Sequence, residues 1–201
     1  MPYRIAVCAS GRGSNLGALI EALKGHPEAR IELVLGDRPA PALDLARRAG
    51  VATAILADPA DGAEWLDLLE RRDIDLVVLA GYLRLVPAAV VERYPGAMIN
   101  IHPALLPRFG GPGMYGQRVH QEVLASGATE SGATVHLVDR EYDRGAIVAQ
   151  SRVPVLAGDT PDSLAARVLE AEHRLLPAVV AAAVRQGHVV PLTEAHMEYD
   201  S

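Results

Sequence analysis

The chain has 201 residues, 50% hydrophobic and only 4% aromatic, with one cysteine and a net charge of −6. That length is one ordinary domain, the aliphatic bias is that of an α/β protein with a buried parallel sheet, and the acidic balance argues against a nucleic-acid binder, which carries a basic stripe. Cys8 alone excludes an internal disulfide and a multi-cysteine metal site, and with no membrane-length apolar stretch and no signal-peptide pattern, a soluble cytoplasmic protein is expected.

Arg4 to Ala9 predicts the first strand. Gly11-Arg12-Gly13-Ser14-Asn15 follows at once, and Leu16, Leu19, Ile20 and Leu23 then fall at helical spacing. Freed N–H groups at such a helix start, with the helix dipole, suit a phosphate; the other reading is a tight turn that caps the helix. Neither Gly-x-Gly-x-x-Gly nor Gly-Lys-Ser/Thr is present, so a dinucleotide site and a P-loop are not supported. Strands are predicted at Ile31 to Leu35, Val51 to Leu56 and Asp75 to Ala80, with helices at Pro41 to Ala49 and Gly62 to Arg72 between them. Trp65 reads as a packing residue. Gly81 to Pro87 leaves the carboxyl end of a central strand, where ligands bind in open α/β sheets. Arg84 there either reaches a ligand or packs its stem with its head in water.

Met98 to His102 predicts a strand that Pro103 ends. Asn100 and His102 lie two apart, so their side chains share a face. An amide and an imidazole side by side suit a carbonyl under attack, one donating to an oxyanion and the other moving a proton; a buried pair satisfied by backbone is the alternative. Arg108 to Gly116 must be a loop, with Phe109, Met114 and Tyr115 as a lid or wall. Val119 to Ala125 resumes helical spacing and carries His120. Thr134 to Val138, with His136 inside it, and Ala146 to Val153 predict an antiparallel hairpin. Thr160 or Asp159 caps a long helix with Pro161 at its first position, running to Gln186. Pro191 to Ser201 reads as a tail on a single domain of residues 1–190.

Asn100, His102 and a carboxylate between Asp139 and Asp143 form a candidate reacting set. A carboxylate beside an imidazole raises its pKa, which suits a histidine protonated near neutral pH. Without a serine or cysteine nucleophile, the set reads as acyl transfer to an external nucleophile. His136 reads as structural, in a core strand below the site.

The sequence resembles the folate-dependent phosphoribosylglycinamide formyltransferases of purine synthesis. The resemblance rests on Ser10-Gly11-Arg12-Gly13-Ser14-Asn15-Leu16, Leu79-Ala80-Gly81-Tyr82-Leu83-Arg84, Ile99 to Pro107, Gly132 to Val138, Asp143-Arg144-Gly145, and Arg167-Val168 with Glu172-His173. It implies a single-domain, doubly wound, mostly parallel sheet with an antiparallel hairpin towards the C-terminal half. It also implies that the amine of glycinamide ribonucleotide attacks the formyl carbon of 10-formyltetrahydrofolate. Asn100 then binds the formyl oxygen, His102 stabilises the oxyanion and donates a proton, and Asp143, favoured over Asp139 by the Arg144-Gly145 that follows it, keeps His102 protonated and relays the amine proton. Gly11, Gly13, Ser14 and Asn15 hold the phosphate, with Glu172 on the ribose side. Leu83, Arg84, Leu85 and Val86 line the folate pocket with Asn100, Asp139, Tyr142 and Asp143. No metal, nucleic acid or membrane is implied, and the protein is expected as a monomer or homodimer. Departures from the pattern are Arg12 in the phosphate loop, Ala104 after His-Pro, and the longer Gly110 to Gly116 loop.

Overall fold

The computed structural model describes residues 1–192; the remainder of the expected tail, with His196, lies outside the described residues. Seven strands form one sheet: β1 (Tyr3–Cys8), β2 (Ala29–Gly36), β3 (Ala52–Ile55), β4 (Leu76–Leu79), β5 (Met98–His102), β6 (Glu130–Leu137) and β7 (Ile147–Pro154). Their order is β3-β2-β1-β4-β5-β6-β7. The first five run parallel, and β6 and β7 are antiparallel additions beyond β5. The chain reverses its direction of sheet growth after β3, so the carboxyl ends of β1 and β4 flank a switch point, the place where an open α/β sheet leaves a crevice.

Alternation along the strands sorts side chains into two layers. Ile5 and Val7 of β1 face one core, which includes Leu16 and Leu19 of α1 (Ser14–Ala22), Leu43 of α2 (Pro41–Arg48) and Leu164, Leu175 and Val179 of the long C-terminal helix. Ala6 and Cys8 face the other core, with Trp65 and Leu69 of α3 (Gly62–Glu70) and Val90 of α4 (Ala88–Arg93). Trp65 is fully buried, packs edge-on against Tyr82 at 5.4 Å between centroids and donates from Nε1 to the Pro59 carbonyl, as a packing residue should. Burial pushes the Cys8 thiol up, so it stays protonated and inert.

The remaining helices are α5 (Gln117–Ala125) and α6 (Pro161–Gln186). Thr160 caps α6 in a capping box with Ser163, Pro161 occupies the first turn, and Gly187 closes it at φ 75°. Two elements differ most from the sequence expectation. α4 is six residues long and begins directly after Pro87, too short for a period to show. β6 starts at Glu130 rather than Thr134: Glu130, Ser131 and Gly132 are poor strand formers, yet all three pair with β7. Gly132 is required there, because a Cβ would stand 2.0 Å from the Ser151 carbonyl oxygen.

Candidate active site

A cavity of about 800 Å³ opens along the carboxyl ends of β1, β4 and β5 and is walled by α6 and the 110–116 loop. Asn100 and His102 enter it from β5, on the same face as predicted. β6 lies antiparallel against β5 with His136 directly opposite Asn100 and Thr134 opposite His102. Asp143 arrives from the β6–β7 connection at φ 57°. That turn is pinned by Gly145, where a Cβ would fall 1.7 Å from the Leu137 carbonyl oxygen. Only glycine permits this approach.

His102 is 4% exposed. Its Nε2 lies 2.7 Å from the Phe109 carbonyl; a carbonyl only accepts, so Nε2 carries the hydrogen. Nδ1 faces Asp143 Oδ2 at 3.5 Å, too long for a strong hydrogen bond. Burial, with a smaller push from His136, lowers the His102 pKa against Asp143 and the Phe109 carbonyl, which raise it. The expectation of a histidine held protonated by its carboxylate is therefore corrected: desolvation outweighs a partner at this distance, and the resting ring is neutral near pH 7. Burial works on Asp143 in the opposite direction and would raise its pKa. His136, His102 and the Gly111 N–H, which donates to Oδ2 at 2.8 Å, together hold it below the ordinary range. Asp143 is a carboxylate.

His136 is not below the site but in it. Its Nε2 lies 3.0 Å from Asn100 Nδ2 and 3.5 Å from Asp143 Oδ1. The sequence places it on a strand but does not give the register that sets it opposite Asn100. Asn100 Nδ2 also donates to Asp143 Oδ1 at 3.4 Å. His120, which the sequence places only on a helix, is 5% exposed on α5, lines the cavity and has no partner at Nδ1 among the described residues. Burial, and then His102, lower its pKa.

At the other end, Gly13 takes φ 79° as the N-cap of α1, without a side-chain cap. Its missing Cβ lets the loop pack on α2, since a Cβ would stand 2.8 Å from that of Ala42. Arg12 and Asn15 line the cavity; Gly11, Gly13 and Ser14 complete the loop beside it without lining it. Asn15 Nδ2 donates to Glu172 Oε2 at 3.1 Å, and burial pushes the Glu172 carboxyl up to about 7 despite that bond.

Leu83, Arg84, Leu85 and Val86 form a third wall, with Asp139 and Tyr142 across from them. Leu83 and Leu85 are 39% and 44% exposed and form an apolar rim. Ser10 Oγ accepts the Leu83 N–H at 3.1 Å, and Arg84 Nε lies 3.4 Å from Asp37 Oδ2. Burial would raise the Asp37 carboxyl, but Arg38, Ser10 and Arg84 outweigh it and hold its pKa below the ordinary range. Asp37 had no motif to mark it. Arg84 lines the cavity with an exposed side chain whose head lies beside Asp37, so the reading of a packed stem with its head in water does not hold.

The arrangement has the parts of a two-ligand transfer site: anion donors, a buried amide–imidazole–carboxylate cluster and an apolar slot. The formyl transferase family profile matches residues 3–180. The phosphoribosylglycinamide formyltransferase of Escherichia coli is 40% identical over 184 residues, covering 88% of this chain and 84% of that protein. The chloroplastic phosphoribosylglycinamide formyltransferase of Arabidopsis thaliana is 44% identical over 188 residues, covering 89% of this chain but 64% of the plant protein, less than two thirds of its length. A glycinamide ribonucleotide transformylase structure from Symbiobacterium toebii superposes with a TM-score of 0.84 at 35% identity, covering 94% of each chain. Together with the fold and the site, these matches show that the chain belongs to the formyl transferase family, among the phosphoribosylglycinamide formyltransferases.

Proposed function

We propose that the protein transfers the formyl group of 10-formyltetrahydrofolate to the amine of glycinamide ribonucleotide. The observation that carries this reading is the convergence of Asn100, His102 and Asp143 in the middle of one cavity whose two ends differ. The α1 start, with Arg12, suits a phosphate, and the Leu83 to Val86 wall with Tyr142 suits a pterin ring. Glu172 and Asn15, bonded to each other and lining the same end of the cavity, support a role on the ribose side.

The amine reaches the site largely as an ammonium, since α-amino groups titrate at about 7.7–8.0. His102 is neutral at rest with Nδ1 free of a hydrogen, so Nδ1 takes one proton from the ammonium, and Asp143 stabilises the resulting imidazolium. That single transfer makes both a nucleophile and an acid. The amine lone pair then forms the new C–N bond as the carbonyl pair moves onto oxygen. The oxyanion accepts from Asn100 Nδ2–H and from His102 Nδ1–H, whose bond to Asp143 is long and easily exchanged. Asp143 takes the second amine proton and passes it to the folate nitrogen as that C–N bond breaks. The products are the formamide, tetrahydrofolate and one proton released to solvent. No metal enters these steps.

Purified protein mixed with both substrates should release tetrahydrofolate, and omission of either should abolish release. Release without the ribonucleotide would mean that water is the acceptor and would overturn the transferase reading.

A further inference from the structure

We propose that His136 is a positioning residue that fixes which end of the Asn100 carboxamide faces the formyl oxygen, an inference that rests on the transferase reading above. An asparagine amide is nearly symmetric in shape, and either its oxygen or its nitrogen can occupy a given place. Only the nitrogen can serve an oxyanion; the oxygen there would repel it. Something has to break that symmetry.

His136 does so through its own tautomer. Its Nδ1 lies 2.8 Å from the Leu137 carbonyl. A carbonyl only accepts, so Nδ1 carries the hydrogen, and the Nδ1–H tautomer has a lone pair at Nε2. That lone pair faces Asn100 at 3.0 Å and demands a donor, which places Nδ2 rather than Oδ1 at this point. The two residues are direct partners in the β5–β6 register, and His136 is 3% exposed, so no solvent replaces the contact.

The two amide hydrogens are then unequal. One is held by His136 at 3.0 Å, while the other reaches Asp143 Oδ1 at 3.4 Å, near the limit of a hydrogen bond. The weakly held hydrogen is the one to be surrendered to the formyl oxygen, while the other keeps the amide from turning over. One neighbour opposes this assignment: Asp143 Oδ1, 3.5 Å from Nε2, would accept a hydrogen there, but that contact is longer than those to Leu137 and Asn100. Asp143 approaches from the β6–β7 connection and His102 from β5, the register partner on β7 is the apolar Ile147, and α6 brings Glu172 to the same cavity. A proton placed on Nε2 would call for an acceptor instead and reverse the amide.

The test combines a spectroscopic readout with a double-mutant cycle. In ¹⁵N-histidine-labelled, ligand-free protein at neutral pH, His136 should show an unprotonated Nε2 and a protonated Nδ1, with a hydrogen-bond coupling from Nε2 to an Asn100 amide hydrogen. His136→Phe should lower kcat on the order of 10²-fold, the scale of one lost oxyanion donor, with KM for both substrates within about twofold. His136→Gln, whose amide oxygen still offers an acceptor, should recover much of that loss. In an Asn100→Ala background His136→Phe should cost nothing further. A protonated Nε2, or an equal loss with and without Asn100, would overturn the proposal. If His136→Phe does not fold, the nitrogen resonances of the unaltered protein still decide it. Those resonances need no substrate, so failure of the transferase reading, seen as absent turnover in the unaltered protein, remains distinguishable.

Discussion

At the β5–β6 end of the cleft the polar groups are buried and bonded to one another: His102 to Phe109, His136 to Leu137 and Asn100, Asp143 to Gly111. At the α1 end a buried pair, Asn15 and Glu172, sits behind an open helix start: Gly13 caps the helix without a side-chain partner and Arg12 is exposed. That start offers backbone donors and charge, which suits an anion. The closed end offers strained, desolvated groups whose partners a substrate must displace. Phe109 at φ 58° and Asp143 at φ 57° are both held in left-handed backbone around His102, a conformation costing about 1–3 kcal/mol each. Under the proposed transfer, phosphate affinity falls to the open α1 end and chemistry to the buried cluster in the middle of the cavity.

That division predicts which kinetic constant each substitution moves. His102→Ala should give the largest effect, a fall in kcat of roughly 10³-fold, with ribonucleotide affinity by calorimetry nearly unchanged. A matching loss of affinity would show that the closed end also binds.

Glu172→Gln probes the boundary. The carboxyl ionises at about 7 in the folded chain against an ordinary 4.5. Below 4.5 both states are protonated; between the two values only the unfolded chain ionises, so stability falls as pH rises through that window. The loss is on the order of 3 kcal/mol at most. Urea titrations from pH 4 to pH 8 should show this slope in the unaltered protein and a flatter one in Glu172→Gln, and equal slopes would remove Glu172 as its source.

Arg12→Ala should be mildest: a KM for the ribonucleotide raised about fivefold at low salt and less at high salt, with kcat unchanged. A drop in kcat instead would place Arg12 in the chemistry and break the division.

The α1 end was largely legible in the sequence because it is local. A strand, a glycine turn and a helical period occupy consecutive residues, and the dipole argument needs nothing else. Asn100 and His102 were legible for the same reason, being two apart on one strand. The rest of the closed end depends on pairing. His136 was misplaced because its role comes from lying opposite Asn100, and a β6 that starts at Glu130 with Gly132 inside it does not announce its register. The neutral state of His102 was misread because the sequence names the carboxylate but not the burial that opposes it or the 3.5 Å that weakens it. Asp37, which anchors Arg84, carries no signal in an isolated Gly36-Asp37-Arg38 turn. The sheet halves themselves were readable, the parallel half from apolar runs and the hairpin from its short connection.

The most direct measurement follows the formyl carbon itself. With ¹³C-formyl folate and the ribonucleotide, carbon NMR should show the label moving into a formamide on the ribonucleotide, slowed about 10³-fold in Asn100→Ala. Label appearing as free formate, or transferred at an undiminished rate in Asn100→Ala, would contradict the account.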